Sequence, residues 1–256
     1  MLLAVDIGNT SITLGLFDEE ALIEELRLAS DVTLSQEEYE VLIKTILKTY
    51  KITDVILSSV VDELTLKFNN ALKCALGVEP LILSNKTEIG VPIKIDVPDE
   101  LGADRIANAA GACVLYKLPV IVVDFGTATT FDIINSNGEF VGGLIAPGIN
   151  LQLNSLSNFT SKLPKIEAAE SPKAIATNTE DAILSGVIRG CAGMIDGMIE
   201  QSEAELGSKA TIVATGGYAS IVAKYLKRPF DFINPTLTLE GLRHLYNLNK
   251  KAICHK

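Results

Sequence analysis

Apolar and polar positions along the 256 residues fall into two similar runs. The first opens with Leu2-Leu3-Ala4-Val5-Asp6, an apolar strand ending in a carboxylate. The polar turn Gly8-Asn9-Thr10 leads to a second β-rich run, residues 11–17, and Asp18-Glu19-Glu20 leads to a third, residues 21–28. Connections this short predict an antiparallel meander. Ser35 followed by Glu38 predicts a capping box, with Tyr39, Leu42, Ile43, Ile46 and Leu47 behind it at helical spacing. A strand at residues 55–57, a helix capped by Asp62 that carries Leu64, Phe68, Leu72 and Leu76, and a short strand at residues 81–83 complete the run. Residues 84–101 turn polar, from Asn85-Lys86-Thr87 to Pro92, Pro98 and Asp99, which predicts a loop with one edge strand. Gly102 to Tyr116 is rich in Ala and Gly, as suits a helix packed closely on its neighbours.

The pattern then recurs. Strands are predicted at residues 119–124, 128–135 and 139–146, with Asn137-Gly138 offering a tight hairpin turn between the last two. Pro147-Gly148-Ile149-Asn150 leads into a helix. Residues 157–172 contain two prolines, Pro164 and Pro172, and read as an exposed or interface segment. A long helical region over about 178–205 follows. After it come a strand at 210–214, the turn Thr215-Gly216-Gly217, a helix to about 226, a strand near 230–233 and a last helix from Thr236. Three strands followed by alternating helices and strands, twice over, predict an α/β fold of two duplicated halves, residues 1–117 and 118–256.

The duplication changes how two acidic turns are read. Asp6-Ile7-Gly8-Asn9-Thr10 and Asp124-Phe125-Gly126-Thr127 occupy the same place in each run. A Gly/Thr turn exposes amides and hydroxyls to an anion, and a neighbouring aspartate can hold the cation that accompanies a phosphate. One copy alone would be an ordinary turn with an Asx-type aspartate. Two copies in matching contexts favour a nucleotide-phosphate site. The common NTPase loop G-x-x-x-x-G-K-[ST], the dinucleotide motif G-x-G-x-x-G and the hydrolase motifs H-E-x-x-H and G-x-S-x-G are absent from the sequence.

Charge and composition narrow the partners. The formal net charge is -10, which disfavours nucleic acid and a polybasic membrane surface. No run of about 20 apolar residues suggests a membrane span, and Asp6 interrupts the apolar N-terminus, so a cytoplasmic protein is expected. Cys74, Cys113, Cys191 and Cys254 lack paired spacing and read as small hydrophobes in a reducing compartment. Of the two histidines, His244 reads as a surface helix residue and His255 as part of a frayed tail, which leaves carboxylates to carry any catalysis. Asp104 is the second carboxylate of interest. It opens a predicted helix, where the positive helix end favours ionisation, and could accept a hydroxyl proton. Helix capping explains it equally well, and Arg105 reads either as a surface ion-pair partner or as a contact to a substrate anion. Thr177-Asn178-Thr179-Glu180 reads first as a capping box.

Together, Asp6-Ile-Gly-Asn-Thr10, Gly102-Ala-Asp-Arg-Ile106, Asp124-Phe-Gly-Thr-Ala-Thr-Thr130, Gly142-Gly-Leu-Ile-Ala-Pro-Gly148 and Thr215-Gly-Gly217 resemble type III pantothenate kinase, in that family's order and over nearly the whole chain. The resemblance implies two ribonuclease H-like domains of the actin-like ATPase and sugar kinase superfamily, with ATP between them. It implies phosphorylation of pantothenate at its primary hydroxyl, the first step toward coenzyme A, and a homodimer with the substrate near the interface. By the same resemblance Asp6, Ile7, Gly8, Asn9, Thr10, Ser11, Ile12 and Thr13 hold the ATP phosphates, with Asp6 on magnesium through water, and Thr127 contacts a phosphate. Asp104 becomes the proton acceptor, Gly102, Ala103, Arg105 and Thr179 contact the substrate, and Asp124 binds potassium or ammonium. Ile95 stands where the family commonly has tyrosine. Two alternatives stay open: a regulatory relative of the family without turnover, and an actin-like ATPase or phosphatase without a small acceptor.

Overall fold

In the computed structural model, residues 1–84, 87–171 and 173–254 are described. The sequence readings at Asn85, Lys86, Pro172 and His255 lie outside them. The chain forms two units: Met1–Pro92, Asp96–Val114 and Leu237–Lys256 make the first, and Ile93–Ile95 with Leu115–Thr236 make the second.

The first unit is built on a five-stranded sheet of β1 (Leu2–Ile7), β2 (Ser11–Asp18), β3 (Ala21–Ala29), β4 (Asp54–Ser59) and β5 (Leu81–Ile82). Their spatial order is β3-β2-β1-β4-β5. The meander β1-β2-β3 is antiparallel, and β4 and β5 join parallel to β1. Helices α1 (Gln36–Ile46) and α2 (Asp62–Leu76) cover one face, where Leu3, Val5, Ile7, Val55 and Leu57 meet Tyr39, Ile43, Leu64 and Phe68. The expected capping box forms: the Ser35 amide donates to Glu38 Oε2 at 2.8 Å, and the Glu38 amide to Ser35 Oγ at 3.2 Å. Asp62 is the first residue of α2 rather than its cap. Val61 holds the cap position, and its amide donates to Ser59 Oγ at 3.1 Å.

The other face of this sheet carries α8 (Leu237–Cys254), which packs on β1 and β4. Its Tyr246 hydroxyl donates to Asp54 Oδ1 at the start of β4. Helix α3 (Ala103–Leu115) lies against α8, backbone to backbone: Gly111 faces Leu237 and Gly241 faces Ala107. The small-residue stripe read from the sequence is that contact. The edge strand expected within residues 84–101 is reduced to a single parallel bridge, Ile93 to Phe140, followed by a 3-10 turn at Pro98–Glu100. Pro92 and Pro98, which donate no amide, bracket the segment in which the Lys94 amide bonds the Phe140 carbonyl at 2.8 Å.

The second unit repeats the plan. Strands β6 (Val120–Phe125), β7 (Ala128–Ile134), β8 (Phe140–Pro147), β9 (Thr211–Gly216) and β10 (Phe232–Ile233) lie in the order β10-β9-β6-β7-β8. The meander β6-β7-β8 is antiparallel, and β9 and β10 are parallel additions. Each strand thus has a counterpart in the first sheet. The turn between β7 and β8 is longer than Asn137-Gly138 suggests. Asn135 Oδ1 accepts from the Asn137 and Glu139 amides at 2.9 and 3.0 Å, and only Gly138 has positive φ. A two-residue type I′ turn would need positive φ at both central positions.

The core of this unit is formed by α4 (Ile149–Asn158), α7 (Ala219–Val222) and a continuous helix over Thr179–Leu206. That helix runs as α5 (Thr179–Leu184), a π-helical turn at Ser185–Arg189 and α6 (Gly190–Leu206). It is long and apolar enough to cross a membrane, with a mean hydropathy of 1.4 over its most apolar window. Its apolar residues are spent on the core instead: Ile183, Val187, Ile188, Cys191, Ile195 and Ile199 recur at helical spacing against Ile121, Val123 and Ile212. Of the cysteines, Cys191 is buried as expected, whereas Cys113 is half-buried and Cys74 exposed. His244 sits half-buried on α8.

Glu203 near the end of α6 is a buried carboxylate that the sequence does not announce. It accepts from Arg228 Nη1 and Lys209 Nζ, both at 2.6 Å, and from the Ala210 amide at 2.9 Å. Burial opposes its ionisation, but these three donors outweigh burial and bring its pKa down to about 2. A carboxylate depressed in the folded state stabilises fully above its unfolded pKa of 4.5, and that stabilisation is lost as pH falls from there through 2. Urea midpoints measured between pH 7 and pH 3 are expected to fall for the wild type and to fall less steeply for Glu203→Gln.

Candidate active site

Alternation along β1 and β4 decides which side chains meet. Val5, Ile7 and Leu57 point into the core beneath α1 and α2. Asp6 and Ser58 therefore point to the opposite face, the one that carries α8. They are register partners across the parallel pair, and Thr13 is the partner of Asp6 on β2. Beyond Asp6 the hairpin is closed by a bond from the Gly8 amide to the Ser11 carbonyl at 3.0 Å, which leaves Asn9 and Thr10 exposed at the tip. This is the carboxyl end of two parallel strands, where open α/β sheets bind ligands.

The second unit reproduces this register. Asp124 pairs with Thr130 on β7 and with Thr215 on β9. Val123, Phe125 and Ala214 belong to the core, so Asp124 and Thr215 also share the opposite face. In each unit an aspartate is flanked by a threonine on the antiparallel neighbour and a hydroxyl residue on the parallel one. The second turn is one residue shorter, with the Gly126 amide bonding the Ala128 carbonyl at 3.0 Å. Thr127 is exposed at its tip, and its carbonyl accepts from the Gly148 amide at 3.1 Å. A β-carbon on Gly148 would stand 2.3 Å from that carbonyl oxygen, so glycine is what lets α4 begin against the turn. Gly216 is likewise held by packing on the Phe125 backbone, at φ 85°.

Asp104 sits in the first turn of α3, where the Arg105 amide donates to its Oδ1 at 2.8 Å. The adjoining Gly102 Cα faces both this carboxylate and the Val60 side chain, and the Val60 amide bonds the Ile7 carbonyl at 3.0 Å. Asp104 therefore lies at the same end of the first sheet as Asp6. Burial raises its proton affinity above that of an ordinary aspartate, and the Arg105 amide and charge only partly offset this. The helix end was expected to favour ionisation; loss of solvent outweighs it here. Gly102, Ala103 and Arg105 surround it, all partly buried.

Thr179 belongs to the second unit, where it opens α5. The cap is made by Asn178, whose Oδ1 accepts from the Asp181 amide at 2.9 Å, and not by Thr177. Thr177 and Thr179 line a cavity of about 580 Å³ together with Leu156, Leu163 and Ile183. Ile95 falls in the short segment that the second unit takes from the loop.

The oxygen donors present suit a hydrated divalent ion. Among the described residues no three His, Cys, Asp or Glu side chains cluster as a metal cage. Magnesium at a nucleotide needs none, because it keeps waters and takes one or two carboxylates besides the phosphates. Asp6, beside the exposed tip of its turn, has the donor chemistry for one such carboxylate. Ser58 is the residue the sequence reading missed, since only the register of β4 on β1 brings it beside Asp6.

Known proteins resemble this chain in both fold and sequence. A Spiroplasma citri MreB bound to AMPPNP superimposes with a TM-score of 0.57 at 14% identity, over 99% of this chain and 98% of the other. A Campylobacter jejuni protein described as a Baf family transcriptional activator gives a TM-score of 0.62 at 22% identity, over 97% and 99%. At these identities the likeness establishes the fold, that of the actin-like ATPases and sugar kinases. A curated type III pantothenate kinase of Dehalococcoides mccartyi (strain CBDB1) is 45% identical over 254 residues, 97% of this chain and 96% of its own. The family model for type III pantothenate kinase matches residues 2–201. The duplicated acidic turns and the half-buried helix-end carboxylate thus sit in a chain that belongs to the type III pantothenate kinase family, an ATP-using kinase that works with a divalent metal.

Proposed function

We propose that this protein transfers the γ-phosphoryl group of ATP to the primary hydroxyl of pantothenate, giving 4'-phosphopantothenate. The observation that carries the reading is Asp104, a half-buried carboxylate of raised proton affinity at the sheet end that holds the Asp6 turn. Phosphoryl transfer asks little covalent chemistry of a protein; it asks for in-line placement and for neutralised charge. The residues from Asp6 to Thr13 hold the phosphates, the exposed turn supplying amides and Asp6 meeting magnesium through water. Bound magnesium offsets charge on the phosphates. Asp104 accepts the hydroxyl proton, and Gly102, Ala103, Arg105 and Thr179 contact pantothenate. ADP release measured with and without pantothenate tests this: strong stimulation is expected, and equal basal hydrolysis in both would overturn it.

Asp124 takes a monovalent cation, potassium or ammonium, and Thr127 contacts a phosphate. Turnover is therefore expected to collapse in sodium-only buffer and to return with potassium. Full activity in stripped sodium buffer would remove the cation from Asp124.

The protein works in the cytoplasm as a homodimer, with no nucleic acid or membrane partner. Phe159 and Ile175, 88% and 86% exposed, flank the proline-bearing segment after α4 and give a second copy an apolar surface to cover. Light scattering is expected at twice the 27.4 kDa of one chain, falling toward one chain in Phe159→Asp.

A further inference from the structure

Ser58 is fully buried, and its Oγ meets no hydrogen-bond partner. Such a hydroxyl is costly to keep, and its neighbours on β4 show what would replace it in a purely structural strand: Val55, Ile56 and Leu57. It projects on the face that carries Asp6, directly across the parallel register from it. The second unit keeps a hydroxyl at the matching place, Thr215 beside Asp124, although the surrounding strand residues differ. A buried polar atom retained beside the same carboxylate in both halves points to use rather than to packing.

We infer that Ser58 is a positioning residue for the metal-bearing carboxylate. Its hydroxyl turns toward Asp6 when Mg·ATP binds, donating to the carboxylate or to a water of the ion's shell, and so fixes the rotamer in which Asp6 meets that shell. The inference rests on the reading of Asp6 as the residue that faces magnesium. A hydroxyl that acts on the loaded site explains why no protein group bonds it. Outer partners of this kind govern metal affinity more than packing, and their loss typically costs about 10- to 100-fold in affinity.

The test separates the two roles. In Ser58→Ala the apo protein should melt at the wild-type temperature or above it, because an unpaired buried hydroxyl has been removed. The magnesium concentration for half-maximal turnover should rise about tenfold or more. Calorimetric binding of a non-hydrolysable Mg·ATP analogue should weaken in step, while binding of the same analogue without the metal stays unchanged. Ser58→Thr, which copies the second unit, should restore the metal response. A lowered apo melting temperature with an unchanged magnesium response would make Ser58 structural and overturn the inference. So would an unchanged response at unchanged stability. If the wild type itself gives no pantothenate-stimulated ADP release, the kinase reading fails; the analogue-binding comparison still decides Ser58.

Discussion

Asp104→Asn lowers pantothenate-dependent turnover by about 10²- to 10⁴-fold, the usual contribution of a positioned general base, while Mg·ATP binding by calorimetry stays near wild type. The substitution keeps the shape and the bond from the Arg105 amide, which an amide oxygen accepts as well as a carboxylate does. It replaces the charged carboxylate by a neutral amide that cannot take up a proton. Because burial raises the proton affinity of Asp104, the acid limb of the wild-type kcat/KM profile is expected above the ordinary aspartate range. A mutant with wild-type kcat would take Asp104 out of the chemistry and leave it as a helix-end residue.

Gly241→Ala is expected to produce the largest loss of stability. A β-carbon there would lie 1.9 Å from the Ala107 carbonyl oxygen and 2.7 Å from its carbon, both backbone atoms of α3 that cannot step aside. Accommodating it means separating α8 from α3. Overpacking of this kind costs about 1–3 kcal/mol, more where backbone must move, and for a chain this size each kcal/mol lowers Tm by about 2–4 °C. Thermal unfolding should thus show a drop of several degrees. Turnover should fall as well, since α3 carries Asp104. Gly193→Ala is the matched control: the added carbon meets nothing within 4 Å, and a helical Gly→Ala change should raise stability by about 0.5–1 kcal/mol. Loss of stability in both variants would mean that helix geometry, rather than the α3–α8 contact, sets the cost.

Much of the fold can be read directly from local sequence. The Ser35–Glu38 box depends on four adjacent residues, and it forms. The two meanders depend on short turns that allow only antiparallel return, and they too form as read. The boundaries that moved were set by side-chain bonds to near neighbours, which the alternation of apolar and polar positions does not record. The cap of α2 passed from Asp62 to Val61, and the hairpin after β7 centred on Asn135 because side-chain bonds there outcompeted the Asn137-Gly138 turn. Of the candidate site, Asp6, Asp104 and Asp124 stand out because a carboxylate at the end of an apolar strand, or at the start of a helix, breaks a local pattern. Ser58 breaks none, since a strand commonly ends in serine.

By itself, the sequence determined that the chain folds twice in the same α/β plan, that each copy offers an acidic Gly/Thr turn, and that its net charge of -10 disfavours nucleic acid. Those properties are local or periodic, and periodicity survives in one dimension. Only the tertiary structure decided that α8, the last helix in the chain, covers the first sheet, that Gly241 and Gly111 bring it onto α3, that Glu203 is clamped by Arg228 and Lys209, and that Ser58 stands across from Asp6. Each of these depends on strand register, a close backbone approach or a side-chain ion pair made only once the chain has folded, and no local pattern records which partner a position will meet.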